Sequence, residues 1–516
     1  MSTGTITRIT TRTLETQTGP KVGWRGWAAL AVLMLPALLV SVDNTVLAFA
    51  LPQIAQSLQP TSVQQLWIVD AYPLVLAGLL VTMGTLGDRF GRRRMLLIGA
   101  SGFAAVSVLA AFAPTAGLLI AARAAMGVFG AMLMPSTLSL LRTIFLNRDQ
   151  RRLAVAVWAA AFSAGAALGP IVGGLLLEHF AWGAVFLLSA PVLVPLLVLA
   201  PILLPETRDP KPGRVDVVSM LLSLATMAPV VYAIKELAVH GPTATVAALV
   251  VVGVASGILF VRRQLLLDVP LLDMRLFRRG TFGGALLVNL LSVVALVGFL
   301  YFVAQQLQLV VGLSPLQAGL VLVPGLATMI VAGLVVVPIS RRVPPHVLVP
   351  AALVFSVGGY LAIAFSAGSV SVVLAAFVSL GVGIGMAETV SNELILTSAP
   401  PAKAGAASAV SETAYELGAV LGTTILGGLL TAVYRANLVV PAGIDADAAT
   451  AAQETLAGAA QAAEAAGGSL GAALAEAAAT AFGSGVLVTS LIGAGLVVVA
   501  AVVAATTLRS GPDRRR

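Results

Sequence analysis

The chain has 516 residues, 59% of them hydrophobic and only 10% charged, with a mean hydropathy of +1.00. No soluble fold hides that much apolar surface, so the composition dictates an all-α polytopic membrane protein. Zero cysteines exclude disulfides and thiolate metal sites, and His179, His240 and His346 have no ligand spacing, so neither metal nor cofactor is expected.

In chain order, residues 1–24 are polar, Thr-rich and basic and read as a cytoplasmic tail, with no cleavage site of the kind that ends a signal peptide. From Trp27 to Pro52 the sequence is apolar and long enough to cross a bilayer, with Asp43 inside it. A carboxylate there costs at least about 2.5–3.5 kcal/mol, so it is protonated, paired or facing a wet cavity. Further spans are expected to start near Val63, Met95, Ala116, Leu153, Trp182, Val217, Thr243, Phe282, Leu316, Val347, Val370, Ala404 and Phe482. Together they make fourteen, an even number, which puts both termini on one side.

The basic residues orient this array. Of the 30 Lys and Arg, only Arg123, Lys235 and Arg435 lie outside the termini and the loops after even-numbered spans. Both termini are therefore expected to be cytoplasmic. The same spread in short loops excludes nucleic acid as the partner behind the pI near 10.3.

Between spans 2 and 3 runs GTLGDRFGRRR, with Gly84, Gly87, Asp88, Arg89, Gly91 and Arg92. Its glycines allow a tight turn, Asp88 can cap span 3, and the arginines anchor the loop, a suitable latch between conformations. In span 4, Arg123 is expected about 12 Å deep, level with Asp70 in span 2 and Asp43 in span 1. An arginine favours the charged carboxylate while burial favours the protonated one, so the three are poised to exchange a proton. In span 5, Gly165, Gly169 and Gly173 repeat every four residues beside Pro170 and Gly174, a smooth stripe for close helix packing with a bend. Trp158 and Phe162 precede it one turn apart, as core or as aromatic faces for a cation.

After span 6, residues 205–216 read as a linker rich in proline and charge. Near the outer end of span 7, Lys235 and Glu236 read as interface residues. Span 12 carries Glu388, Asn392 and Glu393; span 13 carries Glu412, Tyr415 and Glu416, its acids on one face with no neutralising base in the span. The run from Gly418 to Gly428 repeats that from Gly165 to Gly174 with one residue added. This repeat implies two six-helix bundles, 25–204 and 282–507, separated by two inserted helices at 217–263 and a loop at 264–281. An acidic, Ala/Gly-rich external loop spans 435–480, with no chemistry assigned to it, and 508–516 is a basic tail.

Taken together, the sequence around Asp43 to Pro52, Trp67 to Tyr72, the Gly84 to Arg94 loop, Arg123, the Gly165 to Gly174 run and GLSPLQAG at 312–319 resembles the fourteen-span drug:proton antiporters of the major facilitator superfamily. The likeness is closest to their dye, fluoroquinolone and quaternary-ammonium exporters. It implies a monomeric, non-enzymatic multidrug efflux transporter of the bacterial plasma membrane, exporting lipophilic cations in exchange for protons among membrane lipids. Asp43 would be the principal proton and cation carboxylate, with Asp70, Glu412, Glu416 and Glu388 around it, and Trp158, Phe162, Tyr415 and Asn392 in the substrate pocket. Leu316 to Ser340 contains no acid, a departure that weighs against efficient transport of dications. The rival expectation is a proton-coupled transporter of an anionic or lipid-like metabolite, with Arg123 as its ligand.

Overall fold

A computed structural model describes residues 21–208, 216–267, 270–278, 280–365, 368–399 and 404–509. The tail up to residue 20, most of the 205–216 linker and the C-terminus from 510 lie outside them. Fourteen helices among the described residues are long and apolar enough to cross a membrane. They are α1 (Trp24–Leu58), α2 (Ser62–Phe90), α3 (Arg92–Ala111), α4 (Ala116–Ile144), α5 (Arg148–His179), α6 (Ser189–Leu203, which continues the turn Ala184–Leu187 to make one span), α7 (Val217–His240), α8 (Ala244–Leu266), α9 (Gly280–Gln305, whose span runs on to Val310), α10 (Pro315–Ser340), α11 (Pro345–Ala364), α12 (Val370–Ser398), α13 (Ala404–Leu421, whose span runs on to Asn437) and α14 (Gly468–Thr507). Polar caps start them where the sequence breaks: Thr61 and Ser314 form capping boxes with Gln64 and Gln317, and Thr115 caps α4. The turn from α2 to α3 requires Gly91, whose φ is +113°.

The helices form two six-helix bundles with two helices inserted between them, and the main packing pairs of the first recur eight helices later. Helix α1 packs on α4, α5 and α6 as α9 packs on α12, α13 and α14; α4 packs on α2 and α3 as α12 packs on α10 and α11. Glycines set the closest of these approaches. Gly165 lies against Leu38 and Ser41, Gly169 against Val42 and Thr45, and Gly173 against Val46, all on α1. Correspondingly, Gly418 and Gly422 lie against Leu290, Val293 and Val294 on α9. The residue added in the second copy is absorbed as a π-helical segment, Gly422–Gly427, after which the helix resumes as Gly428–Asn437.

The bundles meet along two seams, α5 on α10 and α13 on α2. The inserted α7 and α8 pair with each other, and α7 lies on α2 and on the continuation of α13. Helix α8 exposes Val250, Val251, Val252, Val254, Ile258 and Leu259, a surface suited to lipid. At the start of α7, Asp216 caps the helix and bonds Arg263 of α8 at 3.0 Å. Burial raises the Asp216 pKa, but the bonds from Arg263 and Ser219 outweigh it and hold the carboxyl below its usual range.

The loops after even-numbered helices mark a basic face; the opposite one is here the far face. Helix α14 begins at Gly468, well before the expected Phe482, because the Ala-rich run ahead of the apolar stretch is itself a strong helix former. Its overhang packs against the short helix Leu456–Ala466, which in turn packs on Ala446–Glu454, so the loop expected at 435–480 is largely helical. Glu454 accepts from Arg435 at 2.7 Å and from the Ser62 backbone at 2.8 Å, tying this cap to α2. Burial raises the Glu454 pKa, yet the bonds from Ser62 and Arg435 together hold it below the ordinary value. A depressed folded-state pKa means a stabilising contribution present above the unfolded value and lost as pH falls through the folded one. Acidification below the usual carboxylate range is therefore expected to loosen the cap, and Glu454→Gln to loosen it at neutral pH. Hydrogen–deuterium exchange over 446–466 reads both effects; protection unchanged in each would refute this role.

Candidate functional site

A cavity of about 60 Å³ lies between the bundles, lined by α1, α2, α4, α5, α9, α10 and α13, including the π segment. Asp43, Asn44, Asp70, Arg123, Tyr301, Met329 and Tyr415 are among its walls. Asp43 thus faces the protein centre rather than lipid, as its cost in hydrocarbon demands. Its Oδ2 accepts from Arg123 Nη1 at 2.6 Å. Arg123 is only 1% exposed, donates through Nε to the Ile68 carbonyl at 3.3 Å, and stacks over the Tyr72 ring at 4.7 Å. Burial of a guanidinium is tolerated here because a carboxylate, a carbonyl and an aromatic face all meet it.

The expected triad of Asp43, Asp70 and Arg123 divides in two. Asp70 lines the same cavity but pairs with Lys235 Nζ at 2.8 Å and accepts from Thr424 Oγ1 at 2.7 Å. Lys235 is therefore no interface residue: it is fully buried and sits 3.9 Å from the Trp67 ring centroid. Its position five residues before the end of α7 resembles a snorkelling lysine, but α7 lies against α2, where an acid awaits it. Thr424 owes its position to the π segment that absorbs the extra residue of the second repeat.

A second cavity, about 390 Å³, runs from the centre toward the basic face. Gly84, Asp88, Arg142, Trp158, Ser408 and Glu412 line it, from both bundles. Glu416, one turn on from Glu412, is buried close to Asn44, with no protein bond to its Oε2 among the described residues. The acids thus line a path: Glu412 in the open cavity, Glu416 behind it, Asp43 in the central one. Phe162 and Tyr415 meet edge to face across the bundles, with ring centroids 6.0 Å apart. Glu388 is half-buried near Tyr415, and Asn392 lines neither cavity: it is exposed and accepts from Ser411 at 3.0 Å.

The signature loop makes its ion pairs with itself and with the start of the linker that follows the first bundle. Asp88 does not cap α3; it lies in the last turn of α2 and pairs with Arg92 at 2.8 Å, while Gly91 occupies the cap position. The Arg93 backbone donates to Glu206 at 3.2 Å, and the Arg93 and Arg94 side chains approach the same carboxylate to 3.8 Å. Arg89 lies 5.8 Å from the Phe90 ring. The far face is closed where Gly174 meets Pro315 and Leu316, Gly319 meets Pro170, and Gln308 donates to the Phe49 carbonyl at 3.2 Å.

The comparisons agree with this architecture. The chain is 55% identical over 487 residues, 94% of its own length and 97% of the other, to the multidrug efflux pump LfrA of Mycolicibacterium smegmatis. It is 34% identical over 426 residues, 82% of this chain and 86% of the other, to the methyl viologen resistance protein SmvA of Salmonella typhimurium. A bacterial homologue of the human lysosomal transporter Spinster, in an inward-facing and occupied conformation, shares the fold with a TM-score of 0.67 at 17% identity, over 96% of this chain and all of the other. The Major Facilitator Superfamily model matches residues 33–423. With that match, the relatives and the doubled bundle, the chain belongs to the Major Facilitator Superfamily of membrane transporters, among its multidrug efflux members.

Proposed function

We propose that this transporter exports lipophilic, chiefly monovalent cations such as dyes, quaternary ammonium compounds and fluoroquinolone-like drugs in exchange for protons. The observation that carries this reading is Asp43: a carboxylate at the wall of a cavity between two bundles, held by a single arginine. The basic face and both termini would be cytoplasmic, following the distribution of Lys and Arg. A cation would enter through the larger cavity past Trp158 and Glu412 and displace protons from Glu416 and Asp43. It would leave at the far face after the bundles 25–204 and 282–507 rock about the glycine seams. Each proton moving inward supplies about 2.3 kcal/mol per 100 mV. An anionic cargo fits less well, because Arg123 already has Asp43, the Ile68 carbonyl and the Tyr72 ring around it.

The deciding measurement is proton release from purified protein in liposomes when ethidium or a quaternary ammonium is added. Release that saturates with cation is expected; none for any cation would end the proposal. Glu412→Gln and Glu416→Gln are each expected to change which cations are exported, since one lines the entry cavity and the other is buried beyond it. Identical substrate profiles in all three proteins would make these acids structural.

A further inference from the structure

The inserted helices have no counterpart in the six-helix repeat, yet one of them sends a charge to the centre. Lys235 of α7 reaches Asp70 of the first bundle, and Thr424 of the second bundle binds the same Oδ2 atom. Asp70 thus joins three bodies that an alternating-access cycle would move relative to one another. The pair is also incompletely satisfied. Among the described residues Asp70 Oδ1 has no hydrogen bond, while Lys235 Nζ and Thr424 Oγ1 both crowd Oδ2 at 2.8 and 2.7 Å. A buried pair in this condition stabilises the fold poorly, so selection for stability alone would favour apolar residues. Asp70 lines the central cavity while Lys235 approaches it from the α7 side, so something arriving through the cavity meets the carboxylate first.

We infer that Lys235 is a coupling residue, an internal cation that competes with a proton for Asp70 and so enlists the inserted pair in transport. This rests on the proton-exchange reading above. In the arrangement seen, the ammonium neutralises the carboxylate. When the far face opens, a proton binds Asp70 and breaks the pair, and the still-charged Lys235 remains over the Trp67 ring 3.9 Å away. When the basic face opens, the pair re-forms and the proton leaves to that side. Lys235 is never the proton carrier; it sets when Asp70 lets go.

The test is the steepest gradient of a dye cation that the reconstituted protein sustains at a fixed potential of about 100 mV with no pH difference. One proton fewer per cycle lowers this limit about fifty-fold. Lys235→Met leaves Asp70 without its competitor and permanently protonated, so the fifty-fold fall is expected there and again in Lys235→Met/Asp70→Asn, with no further loss in the double variant. Lys235→Arg is expected to keep the gradient. The double variant buries no charge and is the control for folding. If it folds and sustains the parent gradient, or if it fails to fold, the pair is structural and the inference is overturned. Coupled export surviving in Asp43→Asn would instead strike the exchange reading itself.

Discussion

Asp43→Asn is expected to abolish export of ethidium and of quaternary ammonium compounds while the protein still accumulates in the membrane. The asparagine keeps the size of the side chain and an oxygen that accepts from Arg123, so the contact now measuring 2.6 Å survives as a hydrogen bond without its charge. What disappears is the attraction for a cation in the central cavity. At a separation of 4 Å and an effective dielectric of about 20, that attraction is about 4 kcal/mol, or about a thousandfold in affinity. The variant also has no group at this position to release a proton when cargo binds. Arg123 becomes the dominant charge in the cavity and repels the cargo besides. Dye efflux from cells, normalised to membrane-extracted protein, reads the result. Efflux at the parental rate would place the cation seat elsewhere.

How far the sequence reveals this site depends on where each partner lies along the chain. Asp43 and Arg123 announce themselves because a charge in an apolar span has to be met by something, and their depths agree. Their shared depth and the glycine stripe of α5 follow from helical spacing, whereas the choice of Asp43 over Asp70 by Arg123, and of α1 as the helix on the stripe, does not. Lys235 is equally anomalous in the charge count, but distance from a helix end does not say which neighbour the helix lies against. Only the seating of α7 on α2 turns an apparent interface lysine into the partner of Asp70. The single residue added to the second glycine run is visible in the sequence, whereas its conversion into a π segment that aims Thr424 at Asp70 depends on the backbone. The acidic loop before α14 conceals its purpose for a similar reason: Glu454, Arg435 and Ser62 are distant in sequence and meet only when the cap folds over α2.

Gly174→Ala is expected to shift the resting population toward the state open at the far face and to reduce export accordingly. A Cβ at Gly174 would stand 2.6 Å from Leu316 Cα, 2.9 Å from Leu316 N and 2.9 Å from the Pro315 carbonyl oxygen. These are backbone atoms, so no rotamer change relieves the clash. The segment that would have to give is the first turn of α10, pinned by Pro315 and by the Ser314–Gln317 capping box. Helix α10 must therefore withdraw as a body from α5, the movement that opens the far-face seam. Overpacking of this kind costs about 1–3 kcal/mol, and because only the closed state bears it, the ratio of open to closed states rises about 5- to 150-fold. The cysteine-free sequence makes the measurement clean: a single cysteine at Ala48, on the central cavity wall, should react faster with an impermeant maleimide supplied at the far face. Gly495→Ala, where a Cβ meets nothing within 4 Å, is expected to leave labelling unchanged. If Gly174→Ala behaves like Gly495→Ala, the α5–α10 seam does not open during the cycle, and the rocking motion must turn about a different line.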